Sequence, residues 1–313
     1  MAASHSTSGT LAPFLIRDHI LNGSNAIRMP KLIYGTAWKR EATPHLVIKA
    51  IQNGFRALDT AAQPKHYEES FVGDAVRTLD REGFVKRDQL FIQTKFTPLS
   101  GQGPIPPYNP TASLEEQVRQ SVDSSLTNFT MDRGEPYLDS LVLHSPLPTP
   151  EETLRVWRVL ETYHPTQIRV LGISNTTLPI LQSLHASATI KPAIVQNRFY
   201  PATHFEAELR KWCRERNIVF QSFWTLQANR TMLSRRPVIH LAERVGVERD
   251  EAYFALVLGL GGLTILTGSR TPETMRRDLK GVETVAIWAA GEGREEWDTL
   301  LDEFRIIVGD VEI

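Results

Sequence analysis

The chain has 313 residues, 41% of them hydrophobic and 23% charged, with a formal net charge of -1 at pH 7. This length suits one large domain or two ordinary ones, and the composition is that of a soluble globular enzyme. The near-zero charge removes the electrostatic basis for a nucleic-acid or anionic-membrane partner, no apolar run is long enough to span a bilayer, and "MAASHSTSGT" has neither the basic start nor the apolar core of a secretory signal.

Residues 1–12 read as a loose tail, and residues 13–313 as a single domain. "FLIRDHILNGSNAIRMP" places a turn at Asn22-Gly23 between two short strands, a hairpin suited to plugging a barrel floor. "KLIYGT" is the first core strand, and "TPHLVIKAIQNG" follows as a helix closed by Gly54. "FRALDT" is the second strand. "YEESFVGDAVRTL" then opens a helix at Tyr67, with Phe71, Val72, Ala75, Val76 and Leu79 on one face. "QLFIQTK" is the third strand. A Gly- and Pro-rich loop leads from Phe96 to a helix in "SLEEQVRQSVDSSL", where Ser113 and Glu116 form a capping box.

"YLDSLVLH" is the fourth strand, and Thr149, Pro150 and Glu152 start the next helix. "IRVLGIS", "PAIVQN" and "NIVFQSF" are strands five to seven, separated by helices in "TTLPILQSLHA" and "FEAELRKWCRER". Helical runs over Pro237–Val245 and Asp250–Leu258 precede the eighth strand, "GLTILTGS". A helix then starts near Thr271-Pro272, and "REEWDTLLDEF" adds one at the C-terminus.

Regular alternation implies a parallel α/β sheet, and eight units imply closure into a (β/α)8 TIM barrel with an N-terminal hairpin and an extra C-terminal helix. Cys213, the only cysteine, sits on a helix face. One cysteine allows neither an intramolecular disulfide nor a thiolate metal cluster, which fits a reducing compartment, the cytoplasm.

In such barrels, function gathers at the C-terminal ends of the strands. Those ends carry Asp59, Lys95, His144, Ser174 with Asn175, Gln196 with Asn197, Phe223 with Trp224, and Ser269 with Arg270, while Tyr67 follows the second strand. Any one of these is routine: an aspartate caps a turn, a lysine is solvated, and Ser174 or Asn175 caps a helix. Together they form a chemical set. A phenol is a weak acid at neutral pH, and an adjacent ammonium lowers its pKa. A carboxylate keeps that ammonium charged, and a histidine positions a carbonyl oxygen. No metal-ligand spacing is present.

The segments "YGTAWK", "GFRALDTA", "HYEESFVGDAV", "FIQTKFTP", "LDSLVLHSPL", "RVLGISN", "VQNRFY" and "GSRTPETM" resemble those of the aldo-keto reductase superfamily, in the same order, over Lys31 to Leu279. The resemblance implies a catalytic tetrad of Asp59, Tyr67, Lys95 and His144, with Tyr67 as proton donor in reduction. Ser174, Asn175 and Gln196 then hold a nicotinamide carboxamide, Phe223 stacks on the ring, and Ser269, Arg270 and Thr271 hold an adenosine 2′-phosphate. Thr36 joins the cofactor-binding set. Trp38 and Trp224 line a substrate pocket or pack in the core. The resemblance also explains the missing GxGxxG fingerprint.

The implied protein is a cytoplasmic, monomeric oxidoreductase that reduces a small aldehyde or ketone with NADPH, or alternatively NADH, without a metal. Two other functions fit the same features: a cofactor-sensing regulatory subunit with little turnover, and a phosphate-site barrel enzyme such as an isomerase or aldolase. The sequence departs from the family pattern at several points. Tyr67 follows Asp59 by eight residues rather than the usual five, through the extra "QPKH". Gly268 stands where the family often has lysine, and Thr274 where it often has arginine, with Arg270, Arg276 or Arg277 as the candidates to compensate. Trp224 replaces a small residue that in the family commonly contacts the cofactor's pyrophosphate.

Overall fold

The structure, a computed structural model, describes residues 14–21 and 27–310. The hairpin strands β1 (His19–Leu21) and β2 (Ile27–Met29) pair antiparallel, with His19 opposite Met29. The expected turn at Asn22-Gly23 and the expected tail over residues 1–12 lie outside the described residues.

The barrel begins with β3 (Leu32–Gly35), α1 (Thr43–Gln52), β4 (Ala57–Asp59), α2 (Glu69–Arg81), β5 (Phe91–Phe96) and α3 (Leu114–Asn128). It continues through β6 (Leu138–Leu143), α4 (Pro150–Glu161), β7 (Ile168–Ser174), α5 (Leu178–Ser187), β8 (Ile194–Arg198) and α6 (Ala207–Arg214). β9 (Val219–Phe223), α7 (Arg236–Val245), α8 (Arg249–Gly259), β10 (Leu263–Thr267), α9 (Pro272–Ala290) and α10 (Arg294–Ile307) complete it. Strands β3 to β10 form a closed parallel barrel, sealed where Ile265 of β10 lies opposite Leu32 of β3.

Local chemistry explains the helix boundaries. Thr149 and Glu152 form a reciprocal capping box at α4, with Pro150 in its first turn. At α3 the Ser113 hydroxyl accepts from Glu116 N. Where α2 crosses α3, Gly73 is required: a Cβ there would lie 2.0 Å from the Asn128 carbonyl oxygen. The helix expected to open at Tyr67 begins two residues later, at Glu69. His66 and Tyr67 both donate backbone N–H groups to Gln63 O, and this turn holds Tyr67 on the loop.

Strand alternation sorts the barrel interior into layers. Ile33, Ala57, Phe91, Val170, Ile194 and Val219 make an apolar floor with Leu21 and Met29 of the hairpin. Two residues further along each strand the same side carries Asp59, Gln93, Gln196 and Gln221, all buried. The next positions on that side are Lys95, Ser174, Arg198 and Phe223, at the C-terminal mouth.

Candidate active site

The polar layer is fully connected. Asp59 Oδ1 accepts from Gln93 Nε2 at 2.7 Å and from Gln196 Nε2 at 3.0 Å. Both amides also donate to Gln221 Oε1, and Gln221 Nε2 donates to Gln93 Oε1 and to Met29 Sδ. Buried amides without partners are costly, and here each has an acceptor.

From the layer above, Lys95 Nζ donates to Asp59 Oδ2 at 2.6 Å and to Thr60 O at 2.7 Å. Burial pushes the Lys95 pKa down, opposed by the Asp59 charge. The Lys95 ammonium is 5.0 Å from the centroid of the Tyr67 ring. The Tyr67 ring meets the His144 ring edge-on at 6.1 Å. His144 Nδ1 shares a 2.7 Å hydrogen bond with Thr97 Oγ1. Burial, then the Lys95 and His66 charges, push the His144 pKa down to about 3, so its ring is neutral at pH 7.

One expectation needs correcting. The Tyr67 phenol is not made more acidic here: burial pushes its pKa well above the ordinary value, and the Asp59 charge adds to this. The Lys95 ammonium is ion-paired to Asp59, so its field at the phenol does not outweigh the cost of burial.

The loop over Gln63–Tyr67, where the chain carries its extra residues, is braced on both sides. Gln63 Nε2 donates to Gly101 O, and Gln102 Nε2 donates to Ala62 O, tying it to the long loop after β5. Behind Tyr67, the buried Glu69 carboxylate accepts from Ser125, Asn128 and Thr94. His66 stacks on Trp38 with centroids 3.8 Å apart, and Trp38 N donates to His66 O. Trp38 and Trp224 are exposed, at 54% and 50%, which removes the core-packing alternative for both. Each has positive φ, 62° and 57°, an unusual backbone for a bulky side chain.

At the end of β10, Lys39 is buried and its Nζ donates to Gly268 O at 2.7 Å. A Cβ on Gly268 would lie 3.4 Å from that ammonium, so Lys39 occupies the space a side chain at 268 would enter. Burial and the neighbouring Arg270 charge push the Lys39 pKa down to about 8. Arg270 Nη2 donates to Trp38 O. Among the described residues neither cation has a carboxylate partner, whereas Arg276 and Arg277 reach Glu273 and Glu251. Ser269 Oγ donates to the buried Asp278 at 2.6 Å, and Thr271 caps α9 by accepting from Thr274 N.

A family model described as the aldo/keto reductase family matches residues 23–238. The chain belongs to the aldo/keto reductase family. It is 29% identical over 228 residues to the 7-acetyl-epi-neemfruitin B aldo-keto reductase of Melia azedarach, a match covering 66% of this chain and 64% of that one. The chain thus spans less than two-thirds of that relative's length. Glyoxal reductase of Bacillus subtilis is 29% identical over 224 residues, 70% of this chain and 71% of that protein. Among solved structures, an aldo/keto reductase from Brucella melitensis superposes with TM-score 0.67 at 20% identity, covering 87% of this chain and 99% of that one. An aldo-keto reductase complexed with NADPH superposes with TM-score 0.69 at 19% identity, covering 87% and 88%.

In this family member, Asp59, Lys95, Tyr67 and His144 are gathered at one end of the barrel. Thr36 lies beside them, with both its N–H and its hydroxyl donating to Asp59 O. Ser174 Oγ donates to Gln196 O, and Asn175 Nδ2 donates to His144 O. Neither caps α5, whose N-cap is Thr177. Asn197 braces backbone instead, pairing with both N and O of Thr176. Phe223 lies one layer above Gln196, and Gln221 holds the place beside that amide. Sequence reasoning missed Lys39, Thr97, Gln93 and Gln221. Among the described residues, no group of three or more His, Cys, Asp or Glu is arranged to hold a metal ion.

Proposed function

We propose that this protein reduces the carbonyl group of a small aldehyde or ketone to an alcohol with a nicotinamide cofactor, NADPH before NADH, and with Tyr67 as proton donor. The observation that carries this reading is the buried Asp59–Lys95 pair at 2.6 Å, with Tyr67 over the lysine and His144 beside the tyrosine. When bound, the cofactor supplies hydride to the carbonyl carbon.

The side chains of this chain do the rest. His144 is neutral, and in the tautomer in which Nδ1 accepts from Thr97 Oγ1 the ring proton is on Nε2, the nitrogen that donates to a carbonyl oxygen. Tyr67 is fully protonated at neutral pH because burial disfavours the phenolate. Its proton moves only when negative charge develops on the carbonyl oxygen. Lys95 stabilises the resulting phenolate, and Asp59 keeps the buried Lys95 charged against the cost of desolvation.

The phosphate end of the cofactor fits the end of β10. Among the described residues Lys39 and Arg270 are cations with no carboxylate to neutralise them, and they stand beside the N-terminal end of α9. In this reading Lys39 replaces the side chain absent at Gly268. The reading is tested by titrating the protein with NADPH and with NADH, following tryptophan fluorescence, and then adding a reactive aldehyde. NADPH binding tighter than NADH, with turnover, is expected. Binding without turnover would favour a regulatory subunit, and binding of neither cofactor would remove both readings.

A further inference from the structure

Arg198 has no role in the chemistry above, and its surroundings are unusual. It is the last residue of β8, on the same side of the strand as the floor residue Ile194 and as Gln196, whose amide touches Asp59. Two residues of strand place it roughly 7 Å above Gln196 along the wall, at the barrel mouth. Its guanidinium lies over the Phe223 ring at 5.5 Å and the Trp224 ring at 4.6 Å. The two aromatic rings meet nearly edge-on, 6.3 Å apart, and form a corner against which the guanidinium packs.

Among the described residues Arg198 has no carboxylate partner and no hydrogen-bond acceptor. Its Nε is buried without a partner, a state folded proteins rarely leave unmet. A guanidinium without an acceptor keeps the paired N–H groups that bind a carboxylate or phosphate through two hydrogen bonds.

We propose that Arg198 is an anion-recognition site that binds a carboxylate on the carbonyl substrate, so that the protein selects aldehydes or ketones carrying an acidic group. This inference rests on the carbonyl-reductase reading. The competing source of the same chemistry is the diphosphate of the cofactor; the site proposed at the end of β10 is for the adenosine 2′-phosphate and is separated from β8 by β9.

The test compares wild type with Arg198→Met and Arg198→Lys on two pairs of aldehydes: succinic semialdehyde with butanal, and 4-carboxybenzaldehyde with benzaldehyde. Wild type should prefer the carboxylated member of at least one pair in kcat/KM. Arg198→Met should reduce that preference about 10- to 100-fold, the worth of a charge-assisted hydrogen bond, mainly through KM. Arg198→Lys should restore part of it, because a point charge lacks the bidentate fork.

A second readout needs no turnover. 4-(Hydroxymethyl)benzoate should quench Trp224 fluorescence in wild type, and Arg198→Met should lose that binding. An unchanged preference together with unchanged benzoate binding in Arg198→Met overturns the inference. A weakened NADPH Kd with an unchanged substrate preference assigns Arg198 to the diphosphate and also overturns it. If wild type reduces none of the four aldehydes, the reductase reading fails, and Arg198-dependent benzoate binding still decides the anion site.

Discussion

Lys39→Met separates a functional cation from a structural one. Lys39 is 5% exposed, and its pKa is held at about 8 against an ordinary 10.5. Keeping it charged at pH 7 therefore costs the fold on the order of 3 kcal/mol. Because the folded-state pKa is the lower one, the unfolded chain binds the proton more tightly. The penalty is full below about pH 8 and fades as pH rises through 10.5. Methionine keeps the stem and removes the charge, at the loss of about 1.5 kcal/mol for the bond to Gly268 O. The net gain is about 1–2 kcal/mol, a rise in Tm of roughly 2–4 °C at pH 7 that shrinks by pH 10. NADPH affinity should fall about 10- to 100-fold in the same variant. Melting curves at both pH values and a fluorescence titration give both quantities. A variant that melts lower than wild type and binds NADPH as tightly would refute the reasoning and make Lys39 a structural lysine.

Other perturbations probe the fold and the tetrad. Asp59→Asn leaves Lys95 buried without its counter-charge and should cost about 3–5 kcal/mol, read by urea unfolding. Gly73→Ala drives a Cβ into the Asn128 carbonyl and should cost about 3 kcal/mol, whereas Gly134→Ala, which meets no atom within 4 Å, should be far milder despite its positive φ. His19 and His144 have pKa values pushed down to about 4 and about 3, so the unfolded chain binds protons more readily below pH 6.5. Each should remove about 1.4 kcal/mol per pH unit between roughly pH 6 and 4, and His144→Gln should flatten that acid limb.

The barrel was legible in the sequence because each strand is a short apolar run and each helix repeats its apolar positions at helical spacing. The gathering of Asp59, Lys95 and His144 at one end of the barrel was legible because strand ends are where such a barrel places polar groups. Four features were not. Gln93 and Gln221 are inward-facing glutamines whose partners lie on other strands, and strand periodicity says nothing of an amide pair 128 residues apart in sequence. Nothing in the local sequence marks Lys39 for burial, and the carbonyl it bonds, Gly268 O, lies 229 residues further on. The layer of a residue within the barrel follows from strand register, so Phe223 pairs with Arg198 rather than with Gln196. The helix start expected at Tyr67 shifted because the Gln63 turn satisfies the backbone N–H groups of His66 and Tyr67 outside the helix.

The central claim is that Tyr67 delivers the proton. Its direct test is Tyr67→Phe, assayed for NADPH Kd by fluorescence and for reduction of 4-carboxybenzaldehyde in a single turnover. The account predicts a Kd within about threefold of wild type and a rate lower by about 10²- to 10⁴-fold, the usual worth of a general acid. A rate equal to wild type, with NADPH bound, would contradict it and move the acid to another residue of the mouth.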